Sequence, residues 1–174
     1  IAALTCWPDP APVLHEPFWQ WVIEEDFADL PRPPLELVGV EFTSSVRSFE
    51  EMKLRLLNAT HSSIAYLGVL TGHETVFDAM QNTALAAFIK RLWEHELRPS
   101  FTPPPGQDLK AYTQALERRY RNSAIAHATL QIAMDGSQKL RQRVLAPLRA
   151  NLAANRRIDG LCLVVAAWIL FLNG

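Results

Sequence analysis

The sequence predicts a mainly α-helical protein with little or no sheet, and three observations carry that expectation. Apolar residues recur at helical spacing through 48–68 and 76–92, the pattern by which a helix turns one face to a core. Prolines gather between such stretches, at Pro31, Pro33, Pro34, Pro99, Pro103, Pro104 and Pro105, where each removes a backbone donor and ends a regular element. The most apolar segment, 161–172, is too short for the roughly 20 residues that span a bilayer and reads as a buried helix.

The elements follow in order. Pro8, Pro10, Pro12 and Pro17 make 1–17 an extended lead-in. Phe18 to Phe27 is a short helix or strand anchored by Trp19, Trp21 and Phe27, and 35–42 (LELVGVEF) is a strand or irregular extended piece. Ser48 and Glu51 have the form of a capping box ahead of a central helix that runs to a stop at Gly72. Val76, Phe77 and Met80, then Leu85, Phe88, Ile89 and Leu92 after a break at Asn82-Thr83, predict two helices. Asp108 caps the next, through about Tyr120, with Lys110, Glu117, Arg118 and Arg119 as a solvated face. A helix from Asn122-Ser123 puts His127, Gln131 and Asp135 on one side at four-residue steps, and a turn at 135–137 presents Lys139. Helices over 139–156 and 159–172 complete the chain.

Composition narrows the function classes. At 174 residues, with 49% hydrophobic and 20% charged, the chain is an ordinary globular domain. A net charge of −1 and a pI near 6.6 give no general attraction to nucleic acid or to an anionic membrane. Cys6 and Cys162 lie far apart without metal-ligand spacing, and are expected as buried free thiols in a reducing, cytoplasmic setting. His73 and His95 have no matched ligand partners, so no metal site is expected. There is no Gly-rich phosphate loop, Gly-x-Ser-x-Gly elbow or internal repeat. The opening Ile1-Ala2-Ala3-Leu4 lacks an initiator methionine and a signal-like run, as expected of a chain that begins inside a longer polypeptide.

Chemistry concentrates in 48–68, SFEEMKLRLLNATHSSIAYLG. At about 100° per residue, Glu50, Lys53, Leu54, Leu57, Asn58 and His61 share an arc of about 140°. Periodicity alone favours a bland version, with the Lys53 stem lying along the surface and His61 satisfied in the core. The alternative is a cleft wall, where leucines desolvate Lys53 and bring its pKa toward acid/base use. Asn58 and His61 then donate to an oxygen on which charge develops. The axial rise is about 7.5 Å from Lys53 to Asn58 and about 12 Å to His61. Convergence on one atom therefore needs the long lysine stem, a break in the helix, or both.

The run Lys53-x-Arg55-Leu56-Leu57-Asn58-x-x-His61-Ser62 resembles the signature of the polyol-specific long-chain dehydrogenases, the family of mannitol dehydrogenase and fructuronate reductase (mannonate oxidoreductase). The run Gln131-Ile132-Ala133-Met134-Asp135-Gly136-Ser137-Gln138-Lys139-Leu140 resembles the fructuronate reductase branch, and Pro17-Phe18 with Gln20-Trp21-Val22-Ile23-Glu24 is a third match. The resemblance implies a multi-helical C-terminal substrate domain, 18–174, of a two-domain dehydrogenase, with 1–17 leading in from a nucleotide-binding domain that carries NAD. It implies Lys53 as general acid/base, Asn58 and His61 as polarising groups, and Lys139 as a contact to distal hydroxyls or a carboxylate. His127 and Gln131 are further substrate contacts, and Glu50 is a proton relay or a plain surface pair with Lys53.

Three positions depart from the branch's usual pattern. Trp19 stands for an arginine, Ala128 lies where His-Arg-Thr is usual, and Arg141 lies where Lys-Leu-Pro-Gln-Arg is usual. The implied reaction is interconversion of D-mannonate and D-fructuronate, with a hexitol such as mannitol as the alternative substrate and a noncatalytic helical module as the rival from another class. With no dinucleotide loop of its own, the isolated chain is expected to be inactive.

Overall fold

Local chemistry sets the helix ends. The computed structural model describes residues 11, 19–28 and 30–174. The lead-in over 1–17 (Ala11 apart), Pro17-Phe18 of the third motif and Cys6 lie outside the described residues. The chain divides into two units, 1–46 and 47–174.

In the first unit, β1 (Val22–Glu24) pairs in parallel with β2 (Glu41–Thr43), Ile23 opposite Phe42. Between them a tight helical turn, Leu35–Val38, ends at Gly39, whose φ of 86° is open to glycine at no steric cost. Phe27 meets the Phe42 ring edge-on at 5.9 Å, and the Arg32 guanidinium lies 4.1 Å from the Phe42 centroid, bonded also to Glu36. Trp19, where the branch has an arginine, is exposed and donates to the Gly39 carbonyl.

The second unit is helical, so the mainly α expectation is met, with one two-stranded sheet among the described residues of the first unit. A rod runs from α1 (Arg47–Lys53) through a wide turn, Leu54–Asn58, into α2 (Ala59–Leu70). Helix α1 already includes Ser48, which is therefore a first-turn residue and not the cap the sequence suggests. At the far end the His73 amide bonds the Gly68 carbonyl and Gly72 takes φ 76°, the left-handed stop expected of it. Helix α3 (Val76–Gln81) opens with a capping box formed by Thr75 and Asp78, and Asn82 breaks it and caps α4 (Thr83–Leu92). Asp108 caps α5 (Leu109–Tyr120), accepting from the Lys110 and Ala111 amides.

One predicted helix is corrected. Residues 122–128 are turn and extended chain, and α6 spans only Thr129–Ala133. The Asn122 side chain accepts from the Ala124 amide, and Ala128 pairs with Thr75, with Val76 N–H donating to the His127 carbonyl. These tertiary bonds hold the backbone extended where local spacing alone favours a helix. Met134 is extended and Asp135 is left-handed at φ 58°, so His127, Gln131 and Asp135 do not stack at four-residue steps.

Helix α7 (Gly136–Leu140) then passes through a second wide turn, Arg141–Leu145, into α8 (Ala146–Ala153), and α9 (Asp159–Leu172) follows. A third wide turn, Trp93–Leu97, extends α4. The core forms where α2 packs on α6 and α9, around Leu56, Ile64, Tyr66, Met80, Ile89, Leu92, Val144, Leu161 and Val164. Cys162 is exposed and free, not buried as expected, because it sits on the outer side of α9 with Leu163, Ile169 and Leu170. Among the described residues no helix is long and apolar enough to cross a membrane.

Candidate active site

The wide turn between Lys53 and Asn58 determines the site. There the Ala59 amide bonds the Leu54 carbonyl, five residues back instead of four. Such turns are rare and leave carbonyls that the regular ladder would have used. Side chains take them up. The Leu56 carbonyl receives the Trp93 indole N–H at 2.9 Å and the Thr60 hydroxyl at 2.7 Å, and the Leu57 carbonyl receives the Tyr120 hydroxyl at 3.2 Å. The Thr60 and Tyr120 hydroxyls are 2.8 Å apart. Arg55, paired with Glu51, donates to the Gln142 carbonyl in the next wide turn.

The geometric consequence bears on chemistry. On a uniform α-helix, residues five apart differ by about 140° around the axis. In the wider turn that angle narrows, which brings Asn58 closer to the line of Lys53 than a uniform helix would. Normal α-helix then places His61 three residues on, along the same face. The rod is therefore not broken between Lys53 and Asn58 but widened. Burial agrees: Met52, Arg55, Leu56, Leu57, Ala59 and Thr60 are buried, while Lys53 and Glu50 are exposed and Asn58 and His61 half-buried. The desolvation of Lys53 expected from its leucines is not supplied by the helix, since Leu56 and Leu57 turn to the core. Among the described residues no hydrogen bond joins Lys53, Asn58 and His61 to one another.

His61 is the most perturbed of the three. Burial, then the nearby Arg119, His127 and Arg143 charges, lower its pKa from 6.5 to about 4, so the ring is neutral at pH 7. Its Nε2 is buried with no hydrogen-bond partner among the described residues. The ring lies 5.0 Å from that of buried Tyr120, which stacks on Trp93 at 6.0 Å. Burial raises the Tyr120 pKa, keeping the phenol protonated as a donor.

The remaining predicted contacts divide. His127 is exposed and brings its ring 6.1 Å from that of His61. Gln131 is exposed on α6. Lys139 is half-buried, its ammonium bonded to the Met134 carbonyl at 2.7 Å and 3.6 Å from Asp135. It lies within α7 and is not presented by the turn. A Cβ at Gly136, which opens α7, would collide with the Tyr66 hydroxyl and the Trp168 indole. Sequence reading missed Arg143, half-buried and donating to Ser62 at 3.3 Å. It missed the supporting Thr60, Trp93 and Tyr120 as well. Arg143 had a signal, since it follows Lys139 by four residues; the three supports had none, because they act on backbone carbonyls.

Two clefts lie elsewhere. One of about 240 Å³ sits among Phe88, His95, Glu96, Arg157 and Gly160, and a more open one of about 430 Å³ sits among Lys90, Arg98, Lys110 and Glu117. Neither contains Lys53, Asn58 or His61. One strand-to-helix opening does not suit a dinucleotide pyrophosphate. The link between β2 and α1, Ser44-Ser45-Val46, has no glycine, and the Val46 amide is already taken by the Glu24 carboxylate at 2.9 Å.

Known proteins share this sequence and fold. The family model described as the mannitol dehydrogenase C-terminal domain matches 45–174. D-Mannonate oxidoreductase of Escherichia coli K12 is 45% identical over 95% of this chain and 34% of its own length. Mannitol 2-dehydrogenase of Cereibacter sphaeroides is 40% identical over 95% of this chain and 35% of its own. The solved Pseudomonas fluorescens mannitol 2-dehydrogenase, a ternary complex with NAD and D-mannitol, superposes with a TM-score of 0.83 at 39% identity, covering 91% of this chain and 32% of that one. Fold and relatives together define a helical domain of the kind found in mannitol 2-dehydrogenase and D-mannonate oxidoreductase. The chain belongs to the mannitol dehydrogenase C-terminal domain family, and it spans about a third of the length of the curated relatives it matches.

Proposed function

We propose that this chain is the substrate and acid/base domain of a cytoplasmic NAD-dependent dehydrogenase that interconverts a secondary alcohol and a ketone of a sugar acid, D-mannonate and D-fructuronate. One observation supports the reading: a wide turn separates Lys53 from Asn58 by about one turn of backbone, and the His61 Nε2 is buried with no partner among the described residues.

In the oxidative direction the neutral Lys53 amine takes the hydroxyl proton, and in the reductive direction its ammonium returns it. The Asn58 amide and the neutral His61 ring hydrogen-bond the substrate oxygen as negative charge builds on it. Glu50, one turn before Lys53, passes the proton to solvent. His127 and Gln131 line the approach and Lys139 the distal end of the substrate. NAD, held mainly by a nucleotide-binding domain outside this chain, supplies the hydride chemistry. Closure of that domain over Lys53 gives it the desolvation the helix does not.

Lys53→Ala in the intact enzyme tests the reading. Turnover falls by roughly 10²–10⁴-fold if Lys53 is the acid/base, and survival of most of the activity refutes the role. Such survival would favour a noncatalytic helical module. A mannitol substrate is the second enzyme reading, favoured by the solved relative whose complex holds D-mannitol.

A further inference from the structure

Resting on the dehydrogenase reading, we propose that Arg143 is the residue that selects a carboxylate-bearing substrate over a neutral polyol, by binding the carboxylate directly. Three observations lead there. Lys139, the cation the family motif offers for this task, is already engaged by the Met134 carbonyl and Asp135. Arg143, one turn further along the same helical run, has a single neutral contact, the Ser62 hydroxyl at 3.3 Å, and no carboxylate partner among the described residues. Ser62 adjoins His61, whose buried Nε2 lacks a partner among the described residues, and the Arg143 charge lies close enough to act on the His61 ring.

A half-buried guanidinium without a counter-ion is costly, and burial holds the Arg143 pKa below its ordinary value. A planar carboxylate repays that cost with two parallel N–H···O bonds, a match that neither a hydroxyl nor an ammonium on a flexible stem reproduces. The reacting oxygen lies at Lys53, Asn58 and His61, and the run from His61 to Arg143 places the acid group at the other end of the substrate. A hexitol presents only hydroxyls there and leaves the cation unpaired.

The test uses the intact enzyme with D-mannonate, its neutral amide and D-mannitol. In the wild type, calorimetric binding of D-mannonate is expected to be at least roughly tenfold tighter than that of the amide. Equal affinities overturn the proposal without any substitution. Arg143→Met is expected to lower kcat/KM for D-mannonate by roughly 100-fold, mostly through KM, with D-mannitol changed by less than about 3-fold. Arg143→Lys recovers part of the loss. An equal loss on both substrates, or none on either, overturns the assignment, the former marking a purely structural role. Lys53→Ala separates this proposal from the reading beneath it. If that variant stays active the acid/base role falls, while the binding preference for the carboxylate still reports on Arg143.

Discussion

At the scale of single residues, His61 makes the sharpest commitment. Its folded pKa near 4 lies below the unfolded 6.5, so between these values the unfolded chain binds more protons. Stability is therefore unaffected by this group above about pH 6.5 and falls as pH drops through the window, by at most about 3 kcal/mol. Urea unfolding of the chain at about pH 7 and about pH 4.5 should show a larger loss in the wild type than in His61→Phe. Equal losses would mean the imidazole is not desolvated. Lys53, Asn58 and His61 stand out in the sequence because a motif and a periodicity coincide on them. The exposure of Lys53 was not legible, since sequence spacing counts leucines on a face without saying which way they turn. Arg143 was passed over for a related reason: its spacing from Lys139 marks a cation, but the importance of that cation depends on which neighbours are already paired.

At the scale of elements, the wide turns decide the architecture, and each is stabilised by donors from another part of the chain. Tyr120→Phe removes the bond to the Leu57 carbonyl and the partner of Thr60, and should cost about 1–2 kcal/mol by thermal or urea unfolding while retaining the ring beside His61. A second support is Glu96, buried at 5% exposure, whose two carboxylate oxygens accept the Gly160 and Leu161 amides at 2.8 and 2.9 Å and cap α9. Glu96→Ala should therefore destabilise by about 2–3 kcal/mol, and an unchanged unfolding midpoint would show that α9 is held by packing alone. Gly136→Ala should cost about 1–3 kcal/mol through its clash with Tyr66 and Trp168. Most helices were readable from apolar spacing, Asn82 and Asp108 because their caps are local. The false helix over 122–128 and the unforeseen wide turns share a cause, since both are fixed by hydrogen bonds to residues far along the sequence.

For the whole molecule, the mainly α fold was legible because punctuation by proline and the apolar periods agree, and the family because its motifs occur in order along the chain. The chain alone should oxidise neither D-mannonate nor D-mannitol when mixed with NAD, measured by nicotinamide absorbance. Turnover by the purified chain would show that it holds a cofactor site of its own. The wide turn in the 47–70 rod carries one last implication. Because the turn holds one surplus position, deleting one of Leu54 to Leu57 would close it to a regular helix in which the lysine and the asparagine stand four apart, still neighbours one turn away. The carbonyls now met by Trp93, Thr60 and Tyr120 would return to the ladder, so the surplus position binds the rod to its supports.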